Sequence, residues 1–216
     1  LDALKTQWNL DPAQVAISAS HTHGSPEVGN ILSILQYRGD SFNDSLLSVP
    51  ELVHITKYND QVIAAVLASV EEAMNNRAPS VVAWGQGQAL FARNRRVQGG
   101  PIDPAVPMMR ITSPDGDLRG VLVNYACHGT TLSGAVNEIH GDWMSEAKIN
   151  IEKRHPGVIA MVAIGCGGDA NPNPRGSMED MKTHGADIAN QVDKLLTAQL
   201  DTLAGVPECR ITRVDL

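Results

Sequence analysis

Three short apolar runs, each followed by a turn of small or polar residues, constrain the fold of this chain most. They cover residues 15–19, 121–126 and 158–164. Short apolar runs bounded by turn signals are typical of buried strands. The segments between them include stretches with apolar residues three and four positions apart, which is the spacing of amphipathic helices. Strands that alternate with helices predict an α/β fold, with a layered sheet that is at least partly parallel and has flanking helices.

The helical segments have recognisable starts and stops. Residues 58–76 carry one apolar stripe and are predicted to form an amphipathic helix. A second helix is predicted over residues 142–154, because the His-Pro-Gly sequence after it stops helices. Ser177 caps a third helix that extends to about residue 200, with Asp180 at the capping-box position. The apolar stripe of this third helix consists of Met181, Ile188, Val192, Leu195 and Leu196.

The remaining segments are predicted to be strands and loops. Further strands are predicted within residues 80–92, 108–113, 118–126 and 208–216. Two stretches rich in Gly, Pro, Ser, Asn and Asp, residues 24–50 and 98–107, are predicted loops, the first with a short helix near residues 31–35. Gly205 is expected to end the third helix.

The organisation of the chain is predicted to be a single α/β domain over residues 1–216. The chain opens at Leu1 without a Met, in what resembles the end of a helix over residues 1–8. We therefore expect a fragment of a larger domain, incomplete at both ends.

Composition excludes several classes of partner. The 216 residues carry a formal charge of −7 without a basic patch, and aromatic residues are scarce, so nucleic acid is not an expected partner. Cys127, Cys166 and Cys209 are too few and too widely spaced for a disulfide framework or a Cys-x-x-Cys zinc site. No apolar run reaches transmembrane length. The sequence leaves the oligomeric state open.

Two histidines follow the first apolar run. Because side chains alternate along a strand, His21 and His23 are expected to project to the same side if the strand continues through them. His128 stands in the same position after the second run. If the two strands are neighbours, the imidazoles meet at one edge of the sheet, and such a pair of His ligands suits a catalytic zinc ion. One structural and one surface histidine is the alternative for His21 and His23, and a hydrogen-bonded core histidine is the alternative for His128.

Other candidates lie near the ends of predicted strands. Asp169 and Asn171, in a glycine-rich turn, are placed to contact ligands or substrate, or simply to satisfy their own backbone. Asp142 is either the N-cap of the second helix or a partner that orients a ligand histidine. Arg95 is either a group that polarises a substrate carbonyl or an ordinary exposed arginine. Cys166 is the candidate nucleophile of an alternative cysteine hydrolase, with His128 or His23 as its base.

Four of these stretches together resemble the N-terminal catalytic domain of the neutral/alkaline non-lysosomal ceramidase family. They read His21-Thr-His-Gly-Ser-Pro26, Asn94-Arg95, His128-Gly-Thr130 with Gly141-Asp142, and Gly168-Asp-Ala-Asn-Pro-Asn173. They occur in the family's order and span residues 13 to about 176.

The resemblance implies a zinc-dependent hydrolase that cleaves an amide bond, in ceramide or another N-acyl compound, with metal-activated water. It implies zinc ligands at His21 and His128 and substrate contacts from His23 and Arg95. Asp142 or Asp169 would orient the zinc ligands without binding the zinc ion themselves. The family completes its zinc site with a Glu and a Tyr much further along the chain, which places them beyond Leu216. An extracytoplasmic or secreted location rests on the family alone.

One departure from the family concerns its proposed catalytic serine, where this chain has Asn171. Asparagine donates and accepts hydrogen bonds but is not a nucleophile. The departure favours a metal-hydroxide mechanism over an acyl-enzyme, or a different substrate. It also keeps open a non-catalytic relative that retains the fold without the metal site.

Overall fold

The computed structural model describes residues 1–29, 49–212 and 214, which fall into two compact units. The first unit comprises Leu1–Gly24 and Ala78–Leu216, and the second comprises Ser25–Arg77. The predicted short helix near residues 31–35 lies outside the described residues. The single-domain organisation over residues 1–216 stays a prediction.

The first unit contains a five-stranded sheet and a separate two-stranded sheet. Its strands are β1 (Val81–Gln88), β2 (Ala92–Asn94), β3 (Ala105–Thr112), β4 (Leu118–Tyr125), β5 (Ile159–Ile164), β6 (Ala170–Pro172) and β7 (Asp201–Thr202). The large sheet has the order β5-β4-β3-β1-β7, and β2 pairs with β6. Only the β4–β5 pair of the large sheet is parallel. The predicted α/β fold with a partly parallel sheet is thus confirmed, and most of the sheet is antiparallel.

The described part of the chain contains four α-helices. They are α1 (Asp2–Trp8), α2 (Val49–Asn75), α3 (Asp142–Arg154) and α4 (Met178–Thr197), with a 3₁₀ turn at Pro12–Gln14. The predicted capping box of α4 is present: Ser177 Oγ accepts from the backbone N–H of Asp180, and the Asp180 carboxylate accepts from Ser177 N. Such caps satisfy the first free N–H groups of a helix.

The core lies where α3 and α4 pack against one face of the large sheet. Trp143 and Ile151 of α3 and Ile188 of α4 are completely buried, together with Val123 of β4. Gly185 permits the close approach of the two helices, because a Cβ there would lie 2.3 Å from the Cβ of Glu146. The two helices therefore cover one side of the sheet.

The β4–α3–β5 segment decides where the candidate site lies. Since β4 and β5 are parallel, their carboxyl ends meet at one edge of the sheet. His128 follows β4, and the glycine-rich turn at residues 165–169 follows β5. Ligand sites in sheets with parallel strands commonly form at this edge.

Two predicted strands are absent from the part of the chain that the structure describes. Residues 15–19 form no ladder, and Ile17 is 71% exposed. The only pairing near them is a parallel bridge between Thr22 and Gly129. Residues 208–212 also form no strand. Apolar content gives a strand only where a neighbouring strand supplies hydrogen bonds, and composition does not reveal that neighbour.

Three predicted boundaries also differ. β3 begins at Ala105, inside the predicted loop 98–107, and it accommodates Pro107. α4 ends at Thr197, before the expected Gly205. The short β6 pairs with β2 across a long sequence separation, within a turn predicted to lack structure.

The second unit contains α2, which starts nine residues before the predicted 58. Its early start includes Pro50, which is tolerated in the first turn of a helix. The predicted apolar stripe is only partly covered: Val62 and Val70 are half-buried, whereas Ile63 is 58% exposed. Among the described helices, none combines the length and apolar character that crossing a membrane requires.

Candidate metal centre

His128 is the buried histidine of the site, and hydrogen bonds hold its backbone and its ring in place. It is 7% exposed, and its backbone N–H donates to Ala170 O at 2.9 Å. The Trp143 indole donates to its carbonyl at 3.0 Å. Its ring Nδ1 is hydrogen-bonded to the carbonyl oxygen of Gly167. A carbonyl only accepts, so Nδ1 carries the proton and the Nε2 lone pair is free to bind a metal ion.

His21 and His23 are brought to His128 by the bridge between the two chain segments. His23 N donates to Gly129 O at 3.3 Å, and Thr22 Oγ1 donates to His140 O at 2.8 Å. His21 has a φ of 57°, which is a left-handed conformation that a continuing strand would not contain. The two rings do converge as predicted, but a backbone turn at His21 brings them together rather than strand alternation.

The three rings form one cluster at this edge of the sheet. The centroid separations are 4.5 Å for His21–His128, 5.2 Å for His21–His23 and 6.0 Å for His23–His128. One nitrogen from each ring lies within 4.8 Å of the other two, an arrangement able to hold a metal ion. The predicted meeting of His21 and His128 is therefore present in the structure.

The electrostatic environment favours the neutral form of His21 and His23. Partial burial, followed by the charges of His128, His23 and Arg95, lowers the pKa of His21. Partial burial and His128 also lower the pKa of His23, although the Asp142 carboxylate opposes that shift. Neutral imidazole is the form that binds metal ions, so the lowered pKa values favour the binding form of His21 and His23 at neutral pH.

Asp142 is not the N-cap of α3, because Gly141 occupies that position. The side chain is fully buried, with Oδ1 accepting from Trp143 N at 2.8 Å and Oδ2 from Leu132 N at 3.2 Å. The charge of this buried carboxylate raises the pKa of His23, so Asp142 influences the histidine cluster electrostatically. Orientation of a ligand histidine by Asp142 stays a prediction.

Arg95 lies beside the cluster, on the turn that follows β2. Its backbone N–H donates to Asp169 O at 2.7 Å and its Nε donates to Gly168 O at 3.0 Å. Its charge lowers the pKa of both His21 and His23. The Asp169 carboxylate accepts from Asn94 Nδ2 at 3.0 Å, and so orients that amide. A contact between Asp169 and a histidine stays a prediction.

Asn171 stands on β6, next to the residue that binds the His128 backbone. Its Oδ1 accepts from Thr130 Oγ1 at 3.3 Å, which leaves the Nδ2 group available as a donor. Its side chain is half-buried. The structure thus brings Asn171 beside the His128-Gly-Thr segment, and a catalytic role for it stays a prediction.

The cysteines do not form a comparable site. All three are free, and Cys127 is buried, which raises the pKa of its thiol. Cys166 is exposed, and within the described residues its thiol has no hydrogen bond to a histidine. No observation here favours the alternative cysteine hydrolase.

Two residues near the cluster were not singled out as site residues from the sequence. The His140 ring packs on Gly24, where a Cβ would lie 2.4 Å from His140 Nε2. Arg175 is exposed, yet its charge lowers the pKa of His23. The sequence offered a signal for His140, which precedes the Gly141-Asp142 motif, but for Arg175 it offered only a position in the loop before Ser177.

Comparison with known proteins identifies related sequences and folds. No protein-family model matches the chain. The chain is 25% identical over 178 residues to neutral ceramidase from Pseudomonas aeruginosa, a match that covers 76% of this chain and 25% of that protein. The crystal structure of neutral ceramidase from Pseudomonas aeruginosa superimposes with a TM-score of 0.73 at 21% identity, over 95% of this chain and 35% of that one. A ceramidase complexed with C2 gives a TM-score of 0.74 at 18% identity, over 95% and 34%.

The chain therefore has a ceramidase-like fold. In sequence it is a distant relative of neutral ceramidase, which confirms the resemblance carried by its motifs. It spans about a quarter to a third of the length of these relatives.

Proposed function

We propose that this chain belongs to a zinc-dependent hydrolase of an amide bond, in a ceramide-like or other N-acyl compound. The observation that carries the proposal is the cluster of His21, His23 and His128 at the carboxyl end of β4, with donor atoms within 4.8 Å of one another. The relatives named as ceramidases support the reaction class.

The donor set fits a zinc ion. Imidazole nitrogen is a common zinc ligand, and catalytic sites combine protein ligands with an open position. His128 presents Nε2 because Gly167 engages Nδ1. His21 is exposed, and its ring has no hydrogen bond within the described residues, so it is free to turn towards His128. We assign these two residues as zinc ligands.

When bound, zinc would supply a water of lowered pKa as the nucleophile. The residues around the zinc site bind and polarise the substrate amide. His23 and Arg95 flank the His21–His128 pair and are the groups that hold the amide oxygen as negative charge develops on it. Donors in this role are typically worth about 3–4 kcal/mol each in transition-state stabilisation.

Asn171 contributes as a hydrogen-bond donor and not as a nucleophile. Thr130 occupies its Oδ1, so the Nδ2 group is the part available to a substrate oxygen. An acyl-enzyme on this residue is chemically excluded, which favours direct attack by water. Asp142 and Asp169 keep the surrounding backbone and side chains in place.

Hydrolysis of a fluorogenic N-acyl amide by the zinc-loaded chain tests the proposal. We expect turnover that a chelator abolishes and added zinc restores, and that His21→Ala and His128→Ala lose. His54→Ala is the matched control, because His54 is an exposed histidine on α2 in the other unit. Alkylation of Cys166 should leave the rate unchanged.

Turnover that survives chelation but not alkylation of Cys166 would contradict the metal assignment. A chain that binds zinc yet cleaves no amide would point instead to a non-catalytic relative.

A further inference from the structure

The large sheet has a second face, on the side away from α3 and α4, which we call the open face. The strand register puts four apolar residues in a row across it, one each from β1, β3, β4 and β5: Trp84, Met109, Leu122 and Met161. Their neighbours along the strands, such as Met108 and Val123, point the other way and are buried against the helices. In the part of the chain that the structure describes, Met161 is 62% exposed and Trp84 is 41% exposed.

The composition of the open face is unusual for a surface in water. Its regularly paired positions on β1, β3, β4 and β5 are apolar or glycine, apart from the amides of Gln86, Gln88 and Asn124. Arg119 lies at the irregular end of the β3–β4 pair, where it donates to Pro79 O. An antiparallel sheet with one side in water normally alternates apolar residues facing the core with polar residues facing solvent. The pattern here is therefore that of a sheet with both faces covered.

The shape of the open face is complementary to itself. Ile159 and Met161 on β5, at one edge of the sheet, are its most exposed apolar side chains and form a ridge. A hollow of about 390 Å³ lies towards the other edge, with Trp84 and Leu203 among the residues that line it, and its lining is apolar apart from Asn124. A ridge and a hollow on one surface are what a two-fold dimer needs, because both partners present the same surface.

We infer that the open face is a dimer interface, on which the open face of a second copy of this chain packs. A two-fold axis parallel to the strands, along the central strand β3, sets the β5 ridge of each copy into the hollow of its partner. An axis across the strands would instead place ridge against ridge. Sheets stacked face to face about 10 Å apart are a common arrangement in proteins.

The size and charge of the open face fit a weak dimer. Five strands about 4.8 Å apart are about 20 Å wide, and eight residues of strand are about 26 Å long, so the face measures about 500 Å². Two copies then bury about 1,000 Å² in total, which is the lower limit for a specific interface. The chain has a formal charge of −7, but the regularly paired positions that meet on stacking carry none of it.

Sedimentation of the purified chain over a range of concentrations tests the inference. We expect a monomer–dimer equilibrium with a Kd of about 10 µM, because the buried area is small. No species larger than the dimer should form, because an interface of this symmetry is closed. The emission of Trp84 should shift to shorter wavelength over the same concentrations, since dimerisation removes its side chain from water. Trp143 is already buried and should not respond.

Three variants locate the interface. Met109→Lys, on β3, brings two ammonium groups together at the two-fold axis and should weaken the dimer at least about tenfold. Met161→Lys, on the ridge, should also weaken it, and provides the test if the first variant does not fold. Ile149→Lys is the matched control and should dimerise like the parent, because Ile149 is an exposed apolar residue on α3, on the other side of the sheet. Circular dichroism checks the folding of all three.

A chain that remains monomeric up to about 1 mM would overturn the inference. So would a dimer that Met109→Lys and Met161→Lys both leave unchanged, or a dimer that forms without a shift in the emission of Trp84. These measurements need neither zinc nor substrate, so their outcome is independent of the proposed function.

Discussion

The hydrogen bond between Gly167 and His128 makes one glycine decisive for metal binding. A Cβ at Gly167 would lie 2.7 Å from Cys127 N and 2.9 Å from Cys127 C and Cα, inside any normal contact distance. These are backbone atoms that no side-chain rotation relieves. In Gly167→Ala the turn must move away from Cys127, and it carries with it the carbonyl that holds His128 Nδ1.

The size of the effect follows from two terms. Overpacking of a tight contact costs about 1–3 kcal/mol of stability. Loss of the partner that orients a metal-bound histidine typically costs about 10- to 100-fold in metal affinity. We expect Gly167→Ala to bind zinc at least tenfold more weakly, measured by competition with a chromophoric chelator. A urea titration run in parallel shows whether the variant is still folded.

Gly168→Ala provides the matched control. It lies next in the same turn, and a Cβ there meets nothing within 4 Å. Its zinc affinity and urea midpoint should match those of the parent chain. A folded Gly167→Ala variant with zinc affinity within twofold of the parent would refute the role given to the Gly167 carbonyl.

Two further predictions concern stability. Ser177→Ala removes the side-chain cap on the Asp180 N–H, and should lower the free energy of unfolding by about 1 kcal/mol in a urea titration; an unchanged midpoint would mean that the cap contributes nothing. A second prediction concerns Asp193. Partial burial tends to raise the pKa of its carboxyl group, but hydrogen bonds from His155 and Arg154 outweigh that effect and lower the pKa below its usual value of 3.8. Its stabilisation is therefore present above the unfolded pKa and is lost as the pH falls through the folded pKa. Asp193→Asn should lower the free energy of unfolding by about 0.5–1 kcal/mol at pH 7, a modest amount because the Arg154–Asp193 pair is partly exposed. The difference in unfolding free energy between variant and parent should narrow at pH 3. A difference that widens at pH 3 would contradict this account.

The features predicted well from the sequence depend on local interactions. α3 runs over the predicted residues because the His-Pro-Gly sequence after Arg154 is a local stop. α4 starts at its capping box because Ser177 and Asp180 are three residues apart. The hairpin of β3 and β4 follows from the turn between them, where Ser113 N donates to Asp117 O.

The features predicted poorly depend on distant partners. Residues 15–19 are apolar, but a strand also needs a neighbour, and the nearest pairing is the bridge at Thr22. The pairing of β2 with β6 joins residues more than seventy positions apart, and no local pattern announces it. It nevertheless matters for the site, because it places Asn171 and the Ala170 carbonyl beside His128.

The candidate site was predicted only in part for the same reason. The strand-end positions of His21 and His128 indicated a common edge, and the rings do meet there. The backbone turn at His21 was not predicted, because a left-handed conformation is uncommon in any residue other than glycine and no local sequence pattern indicates it here.

Zinc content of the purified chain is the most direct test of the central claim, that the tips of two chain segments form one metal site. The chain is incubated with zinc, dialysed and analysed for metal, alongside His21→Ala, His128→Ala and the control His54→Ala. The account predicts close to one zinc per chain in the parent and the control, and a loss of zinc in both site variants. A parent chain that holds no zinc after incubation with excess metal, or one whose zinc survives both site substitutions, would contradict it.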